Sequence, residues 1–461
     1  MRNSLTELKD AVQGNVLCSG DQSYDQARKV WNAMIDKNPS VIVQCKSARD
    51  VVAAVNYARQ AVLPISVRGG GHNVAGHAVC DDGVMIDLSL MRSVEVNTTI
   101  RTALVDGGAT WGDVDSETQK HGLATPGGLI SDTGVGGLTL SGGIGWLRSR
   151  YGLCIDNMVS AEVVTARGEI LNASESENSD LFWAIRGGGG NFGIVTRFEF
   201  KLHKVGPKVM FCAPIYPIEA GAEPIRFWRD FMADKNRDVG SIIEFSTVAE
   251  GPDFPEAYWG KKVYTMAAVY AGDADEGEKV LQPLRELGEM AADFSGQMDY
   301  CEVQTLFDEL MPAGEYRCYW KCHYLNGLGD EAIDTILQQF ATTPSANTLS
   351  SIWNFGGATA DVAADATAFG DRSMPYMFSM DSVWPDKSGD EKNISWTREF
   401  WNRMKAYSDN GRMYLNFPGQ GEEGAKMLED TFGENYSRLR AIKKKYDPDN
   451  LFRFNQNIEP A

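Results

Sequence analysis

The sequence predicts an α+β fold with two domains, the second inserted between the two parts of the first. Short strand and helix signals alternate from about residue 40, but they lack the regular repeat of a doubly wound sheet. After Leu202 these signals become longer and aromatic residues more frequent. The chain then returns to a helix, Tyr436 to Tyr446, and a polar, Asn-rich end. These changes predict a first domain over residues 1–204, an inserted domain over 205–417 and a C-terminal return over 418–461.

The individual elements follow from local patterns. Val41 to Gln44 is a β-branched run that predicts a strand, and Ser47 is a typical N-cap for the amphipathic helix after it. Residues 194–202 alternate β-branched and aromatic side chains, which predicts another strand. The glycines at 188, 190 and 193 spell GxGxxG, but the dinucleotide fingerprint requires a helix after them. We therefore exclude a nicotinamide cofactor at this position.

Composition and charge exclude some classes of partner. The 461 residues are 43% hydrophobic and 23% charged, as in an ordinary soluble globular protein. A formal net charge of -19 repels phosphate backbones and anionic lipid, so neither nucleic acid nor a membrane is an expected partner. The sequence contains neither the apolar core of a signal peptide nor a membrane-span pattern, which predicts a cytoplasmic location. The oligomeric state stays open.

The cysteines predict neither a disulfide framework nor a metal site. Eight cysteines are sparse for a chain of this length and show no CxxC spacing, so we expect buried thiols. Cys318, Cys322 and His323 lie close in sequence, but the residues around them alternate like a strand, which separates their side chains. We therefore expect no metal ion.

The segment from Pro64 to Gly76 is the most informative for function. A strand ends at Arg68, and three glycines and His72 follow it, so that successive backbone N–H groups can form a concave site for a pyrophosphate. A second glycine-rich stretch, over residues 127–145, allows the backbone to lie against a flat or phosphorylated group. Taken alone, the first segment is equally well explained as a glycine turn that ends in a surface histidine.

Five motifs in order resemble those of a known family. They are Ser66-Val-Arg-Gly-Gly-Gly-His-Asn73, Gly134-Val-Gly-Gly-Leu-Thr-Leu-Ser-Gly-Gly-Ile-Gly145, Tyr151-Gly-Leu-Cys-Ile-Asp-Asn157, the run from Asp180 to Gly193, and the end from Tyr446 to Ile458. With these motifs the chain resembles the vanillyl-alcohol-oxidase superfamily, in its berberine-bridge-enzyme-like branch. The resemblance implies a two-part FAD-binding domain of the PCMH type, with an inserted substrate domain of antiparallel sheet covered by helices.

The resemblance also implies FAD, bonded through its 8α carbon to His72. Many relatives attach FAD a second time through a cysteine, but Ile130 stands at that position and Cys154 is out of register with it. A single histidyl link is therefore expected, with no cysteinyl link. The cofactor-binding residues that the resemblance implies are Arg68, Gly69, Gly70, Gly71, His72, Asn73, Gly76, Ile130, Thr133, Gly134, Gly136, Gly137, Gly142, Gly143, Asn157, Val163, Gly193, Val195, Asn455 and Asn457.

Three residues are candidates for catalysis. A segment of the chain resembles a Tyr-x-Asn-Tyr pattern in which Tyr414 and Asn416 match and Phe417 replaces the second tyrosine. Tyr414 is a candidate base if a cation or a flavin dipole lowers the phenol pKa from its usual value near 10, and Lys321 is either that cation or a structural lysine. Glu244 interrupts an apolar strand, either as a base or amine anchor or as an outward-facing residue.

The resemblance implies an FAD-linked oxidase that oxidises an alcohol, a sugar-like compound or a related small molecule by hydride transfer to FAD. Dioxygen is the expected acceptor, which gives hydrogen peroxide. Thr133 replaces the usual valine or leucine at the oxygen-gating position of the family, so a dehydrogenase with another acceptor stays an alternative. Secondary-amine oxidation, as in nicotine oxidases of the family, is a further alternative, and so is a flavin-carrying protein without turnover.

Overall fold

The computed structural model describes residues 4–235, 237–408, 411–422 and 424–461. Its first layer contains the elements α1 (Leu5–Ala11), β1 (Asn15–Leu17), α2 (Tyr24–Ala27), β2 (Val41–Gln44), α3 (Ala48–Ala61), β3 (Ile65–Arg68) and β4 (Val84–Asp87). The sheet has the order β1-β2-β4-β3, and β4 pairs in parallel with both of its neighbours. The Ser47 hydroxyl accepts a hydrogen bond from the Asp50 N–H and caps α3 as predicted. Strand β3 ends directly before the three glycines and His72.

A second, antiparallel sheet follows. Its region contains β5 (Val94–Asn97), β6 (Thr102–Asp106), α4 (Trp111–Gln119), β7 (Leu123–Ala124), α5 (Val135–Leu140), α6 (Arg148–Tyr151), β8 (Met158–Val164), β9 (Ile170–Ser174), α7 (Ser179–Ile185), β10 (Ile194–Lys201) and β11 (His203–Lys204). The main sheet has the order β5-β6-β10-β8-β9. Strand β10 confirms that a strand and not a helix follows the GxGxxG glycines.

The middle region forms one large sheet with helices packed against it. Its elements are β12 (Lys208–Cys212), β13 (Pro214–Pro217), α8 (Glu223–Lys235), β14 (Val239–Thr247), β15 (Lys262–Tyr270), α9 (Ala274–Leu281), β16 (Ala292–Asp293), β17 (Gly296–Asp299), α10 (Tyr300–Val303), β18 (Arg317–Leu325), α11 (Asp330–Phe340), β19 (Leu349–Asn354), β20 (Tyr376–Trp384) and α12 (Asp390–Met404). The strand order is β16-β13-β15-β14-β19-β20-β18, and β12 pairs with β15 and β17. Every pairing is antiparallel, which confirms the predicted antiparallel sheet.

A buried arginine joins the first two regions of the chain to the third. Arg148, in α6, is fully buried, and its guanidinium donates hydrogen bonds to the backbone oxygens of Gly145, Ser241 and Asn354 and to the Asn354 side chain. Ser241 belongs to β14 and Asn354 to β19, so two strands of the middle sheet depend on this one side chain. Burial lowers the pKa of Arg148 to about 9.

The C-terminal helices α13 (Ala425–Phe432) and α14 (Asn435–Tyr446) return to the first part of the chain. Lys443 and Asp447 form an ion pair of 2.7 Å in which both side chains are completely buried. The Lys443 ammonium also donates to the backbone oxygens of Asn191, at 2.8 Å, and Phe452, at 2.9 Å. This ion pair therefore holds the last segment of the chain against the glycine turn before β10.

The structure bears on the membrane prediction and on the predicted C-terminal return. No helix in the described ranges has both the length and the apolar character needed to cross a bilayer. The hydrogen bonds of α14 to the glycine turn agree with a C-terminal return, while the boundaries at residues 204 and 417 stay predictions.

We expect Lys443→Met to lower the free energy of unfolding by roughly 3–5 kcal/mol, because Asp447 would remain buried without a cation. Denaturant unfolding followed by circular dichroism measures the change. Lys444→Met, at an exposed position of the same helix, is the matched control and should change stability by less than about 0.5 kcal/mol. Equal unfolding midpoints for the two variants would contradict a structural role for the buried pair.

Candidate active site

A cavity of about 330 Å³ lies between the glycine segments of the first two sheets and the large middle sheet. Glycine backbone and His72 supply part of its lining. Strands β14, β19 and β20 supply another part, and the C-terminal segment around Asn455 supplies a third. The cavity therefore collects residues from all three predicted parts of the chain.

Two glycine turns meet at one end of this cavity with their backbones in contact. A Cβ atom built on Gly70 would lie 2.3 Å from the backbone nitrogen of Gly134, and one built on Gly134 would lie 2.2 Å from that of Gly70. No side chain fits at either position, since real Cβ atoms do not come so close to backbone. This contact explains why both turns consist of glycine where they meet, and it brings the segment 130–133 next to His72.

His72 has contacts on three sides. Its ring stacks on Trp31 with 5.2 Å between ring centroids and 23° between planes. Its Nδ1 lies 3.4 Å from the Thr133 hydroxyl oxygen, and its Nε2 lies 2.7 Å from a carboxylate oxygen of Asp132. The side chain is 15% exposed and lines the cavity. The imidazole is therefore held in one orientation at the cavity wall.

The lining has the character of a nucleotide cofactor site. Cβ atoms added to Gly137 or Gly190 would meet no described atom within 4 Å, so these backbones border open space. The side-chain oxygen of Asn455 and both amide atoms of Gln456 are buried in the lining without a hydrogen-bond partner among the described residues. Buried polar atoms are normally paired. Unpaired amides beside bare backbone and a fixed histidine fit the ring edges and pyrophosphate of FAD.

The structure divides the predicted cofactor residues into two groups. Those that line the cavity are Gly69, Gly70, Gly71, His72, Asn73, Ile130, Thr133, Gly134, Gly136, Gly137, Gly193, Val195 and Asn455. The described lining does not include Arg68, Gly76, Gly142, Gly143, Asn157, Val163 or Asn457. Most residues of the second group have other structural roles.

Arg68 is the clearest correction. Its guanidinium pairs with Asp87 and donates to the backbone oxygens of Ala27 and Lys29, so its donors serve the protein and not a phosphate. Asn157 likewise donates to the backbone oxygens of Tyr151 and Leu153. The partners of Arg68 lie 19 or more residues away in the chain, whereas those of Asn157 belong to the turn directly before it.

The remaining residues of that group pack inside the protein. A Cβ on Gly142 would meet Phe369 at 2.5 Å, one on Gly143 would meet the Cys154 sulfur at 2.4 Å, and one on Gly76 would meet Ile35 at 2.6 Å. Val163 is a buried residue of β8. These three glycines therefore meet a packing requirement of the protein itself. Asn457 lies outside the described lining, and its side-chain oxygen is buried without a hydrogen-bond partner among the described residues.

The middle sheet presents two buried carboxyl groups to the cavity. Glu244 on β14 accepts a 2.8 Å hydrogen bond from the Ser351 hydroxyl, and Asp381 on β20 accepts a 2.7 Å hydrogen bond from the Ser379 hydroxyl. Ser351 on β19 is the cross-strand neighbour of both Glu244 and Ser379. The four residues form a polar patch, which we call the acid patch. Its location excludes the outward-facing interpretation of Glu244.

The acid patch is strongly perturbed electrostatically. Burial raises the pKa of Glu244 to about 7, and the bond from Ser351 lowers it only in part. Burial also raises the pKa of Asp381 well above its usual range, and the charge of Glu244 raises it further. Two carboxyl groups that oppose each other's ionisation hold at least one proton between them near neutral pH.

Tyr414 lines the cavity, and the described lining contains no lysine or arginine beside it. Its hydroxyl oxygen accepts hydrogen bonds from the Asn416 amide at 2.8 Å and the Gly143 N–H at 3.2 Å. Burial nevertheless raises its pKa above the usual phenol value. Lys321, the proposed cation, lies outside the described lining, where it pairs with Glu422 and stands 4.1 Å over the Trp401 ring. Lys321 therefore has partners within the protein, outside the cavity lining.

Sequence reasoning missed Asp381, Asp132 and Trp31. Asp381 interrupts the apolar run Tyr376–Trp384 in the same way that Glu244 interrupts β14, and that signal was available. The neighbours of Asp132 and Trp31 gave no such signal, because their contacts with His72 join positions about 40 to 60 residues apart.

Comparisons with known proteins agree with this site. The family described as FAD binding domain matches residues 39–174, and the family described as berberine and berberine-like matches residues 413–459. An FAD-linked oxidoreductase of Dictyostelium discoideum is 30% identical over 99% of this chain and 97% of its own length. The crystal structure of 6-hydroxy-D-nicotine oxidase from Arthrobacter nicotinovorans is similar with a TM-score of 0.86 and 30% identity, covering both chains completely. A chitooligosaccharide oxidase has a TM-score of 0.87 and 25% identity over 98% of each chain.

We expect Gly137→Leu to fold normally and to lose most of its flavin, because the new side chain would extend into the open cavity. Flavin bound per protein before attachment, measured by absorbance at an FAD concentration below the dissociation constant of the parent, should fall by roughly 10-fold or more, which corresponds to about 1.4 kcal/mol of lost binding. Gly251→Leu is the control, since its Cβ also meets no described atom but lies outside the cavity lining. Unchanged flavin content in Gly137→Leu would contradict the placement of the cofactor.

Proposed function

The chain belongs to the berberine-bridge-enzyme-like family of FAD-linked oxidoreductases, and on this basis we propose that it oxidises a small amine by hydride transfer to FAD. The acid patch carries this proposal. It lies on the part of the cavity wall that the middle sheet provides, whereas the glycine turns belong to the first two regions of the chain. Two buried carboxyl groups without a cation in the described lining suit a substrate that brings a positive charge of its own.

The charge on the acid patch distinguishes an amine from a neutral alcohol. A protonated amine beside Glu244 compensates its buried negative charge, whereas a neutral alcohol leaves that charge uncompensated. The relative 6-hydroxy-D-nicotine oxidase, whose named substrate is an amine, is 30% identical, against 25% for the chitooligosaccharide oxidase. Both observations favour the amine over the alcohol or sugar-like substrate that the sequence suggested first.

The proposed chemistry assigns a separate task to each group. FAD supplies the hydride acceptor, and dioxygen is the proposed final acceptor, which gives hydrogen peroxide. Ionised Glu244 takes a proton from the substrate ammonium, because only the neutral amine has the lone pair that assists loss of hydride from the neighbouring carbon. Asp381 keeps its proton and limits the patch to one negative charge, which matches one ammonium group.

We expect Glu244→Gln to lower kcat/KM for amine-driven flavin reduction by roughly 100-fold, the usual scale for a positioned base. Glu244 must be ionised to accept a proton, so activity of the parent enzyme should fall as the pH drops below about 7. That decline should be absent from the variant. Anaerobic stopped-flow absorbance, recorded at a series of pH values on both sides of the Glu244 pKa, measures both effects.

Glu250→Gln is the control for this experiment, because it removes an exposed carboxylate of the same region and should leave the pH profile unchanged. A decline near pH 7 that persists in Glu244→Gln would assign the base to another group. Asp381→Asn would then be the variant to examine.

Alcohol oxidation is the second candidate, and the contact of Asn416 with the Tyr414 hydroxyl in the cavity favours it. With an alcohol substrate, Tyr414→Phe should lower the rate of flavin reduction more than Glu244→Gln does. The amine proposal requires the reverse order, and it also requires that amines bleach the flavin faster than alcohols of the same size.

The link to FAD is a further part of the proposal, and the fixed orientation of His72 at the cavity wall supports it. We expect the flavin to stay with the protein after acid precipitation, and mass spectrometry should find one FAD on the peptide that contains His72. His72→Ala should release its flavin in acid, whereas the control His121→Ala, changed at an exposed position, should retain it. Flavin found on a cysteine peptide would contradict the single link.

A further inference from the structure

The segment Ile130–Thr133 contacts His72 through two side chains. The Thr133 hydroxyl lies near Nδ1, and an Asp132 carboxylate oxygen lies 2.7 Å from Nε2. The Asp132 side chain is 50% exposed, so it is not needed to fill the core. In the described part of the chain, His72 is the basic group within ion-pair distance of this carboxylate. The carboxylate therefore lies at ion-pair distance from a ring nitrogen that has no hydrogen-bond partner among the described residues.

The position of Asp132 is fixed from the other side of the segment. Asp308, a residue of the middle region, accepts hydrogen bonds from both the backbone N–H and the hydroxyl of Ser131, at 2.8 and 2.6 Å. The Trp31 ring fixes the plane of the imidazole. The backbone next to Asp132 and the plane of the ring are therefore both held by contacts within the protein.

We propose that Asp132 is a positioning residue for the attachment of FAD to His72, an inference that rests on the histidyl link proposed above. Attachment forms a C–N bond between a ring nitrogen and the 8α carbon. One C–H bond of the 8α methyl group and the N–H bond of the ring break, and the two protons and two electrons pass to dioxygen through the flavin, giving hydrogen peroxide. The ring gains positive charge when the bond forms. Asp132 stabilises that charge until the N–H proton leaves the ring.

The expected size of the effect follows from the separation. Two opposite unit charges 2.7 Å apart attract each other, even when water screens them fully, strongly enough to change a rate by on the order of 10-fold. This water-screened value applies because the Asp132 carboxylate is half exposed. A fully buried carboxylate would attract the charged ring more strongly.

Asp132→Asn tests the inference, because it removes the charge and keeps the shape. Full-length protein isolated from riboflavin-starved cells is mixed with FAD in air, and acid-stable flavin fluorescence is recorded against time. We expect attachment to slow by roughly 10-fold or more in Asp132→Asn and to recover in part in Asp132→Glu. The dissociation constant for FAD, measured before attachment, should stay the same. Asp82→Asn is the control, since it removes an exposed carboxylate from the same region.

Each other outcome overturns the inference. Attachment at the parent rate in Asp132→Asn would show that the carboxylate has no part in it. Loss of FAD binding or of folding in that variant would make Asp132 a binding or structural residue. If the parent protein itself releases all of its flavin in acid, the histidyl link fails, and that result differs from a parent that links FAD while Asp132→Asn does not.

Discussion

The contact between the backbones of Gly70 and Gly134 is the constraint on which the rest of the site depends. Neither residue accepts a Cβ atom, and each glycine lies one or two residues from a side chain that faces the cavity. His72 follows Gly70 by two positions, and Thr133 directly precedes Gly134. When the two turns touch, these side chains necessarily become neighbours. One close approach of bare backbone thus forms the end of the cavity and orients the histidine.

Buried charged groups of the scaffold have charged or carbonyl partners, whereas those of the acid patch have serine hydroxyls as their described partners. Lys443 and Asp447 are completely buried and satisfy each other, and each guanidinium nitrogen of Arg148 donates to an oxygen atom of the protein. Glu244 and Asp381 are buried just as well, but each has a serine hydroxyl for a partner and no described cation. A carboxyl group left in this state costs stability, and such costs concentrate at functional sites. The acid patch is therefore the part of the molecule in which a charged ligand brings the largest gain.

Local pattern was sufficient to predict much of the fold, because strand alternation and helix capping depend on residues close in sequence. The strand after the GxGxxG glycines and the cap at Ser47 are examples. The partners of Arg68 cannot be predicted from the local pattern. It stands before three glycines as a phosphate-binding residue would, but β3 pairs in parallel with β4 and aligns it with Asp87. The partner that determines its role is set by sheet register, which no short motif encodes.

The site residues that can be predicted from sequence are those that belong to continuous motifs. Glycine turns and His72 belong to continuous motifs, whereas the acid patch draws on β14, β19 and β20, and its members become neighbours only after the strands pair. Glu244 attracted attention as a charge in an apolar strand. Its place in the acid patch depends on Ser351 and Asp381, which are more than 100 residues away in the sequence.

The middle region connects the two ends of the cavity. It provides the sheet that carries the acid patch, and through Asp308 it also holds Ser131, next to the residue that contacts His72. Arg148 fixes that sheet to the first part of the chain through β14 and β19, the strands that carry Glu244 and Ser351. A displacement of the middle region would therefore move the acid patch and loosen the contact at His72 together. Orientation of the cofactor and recognition of the substrate consequently depend on the same interdomain packing.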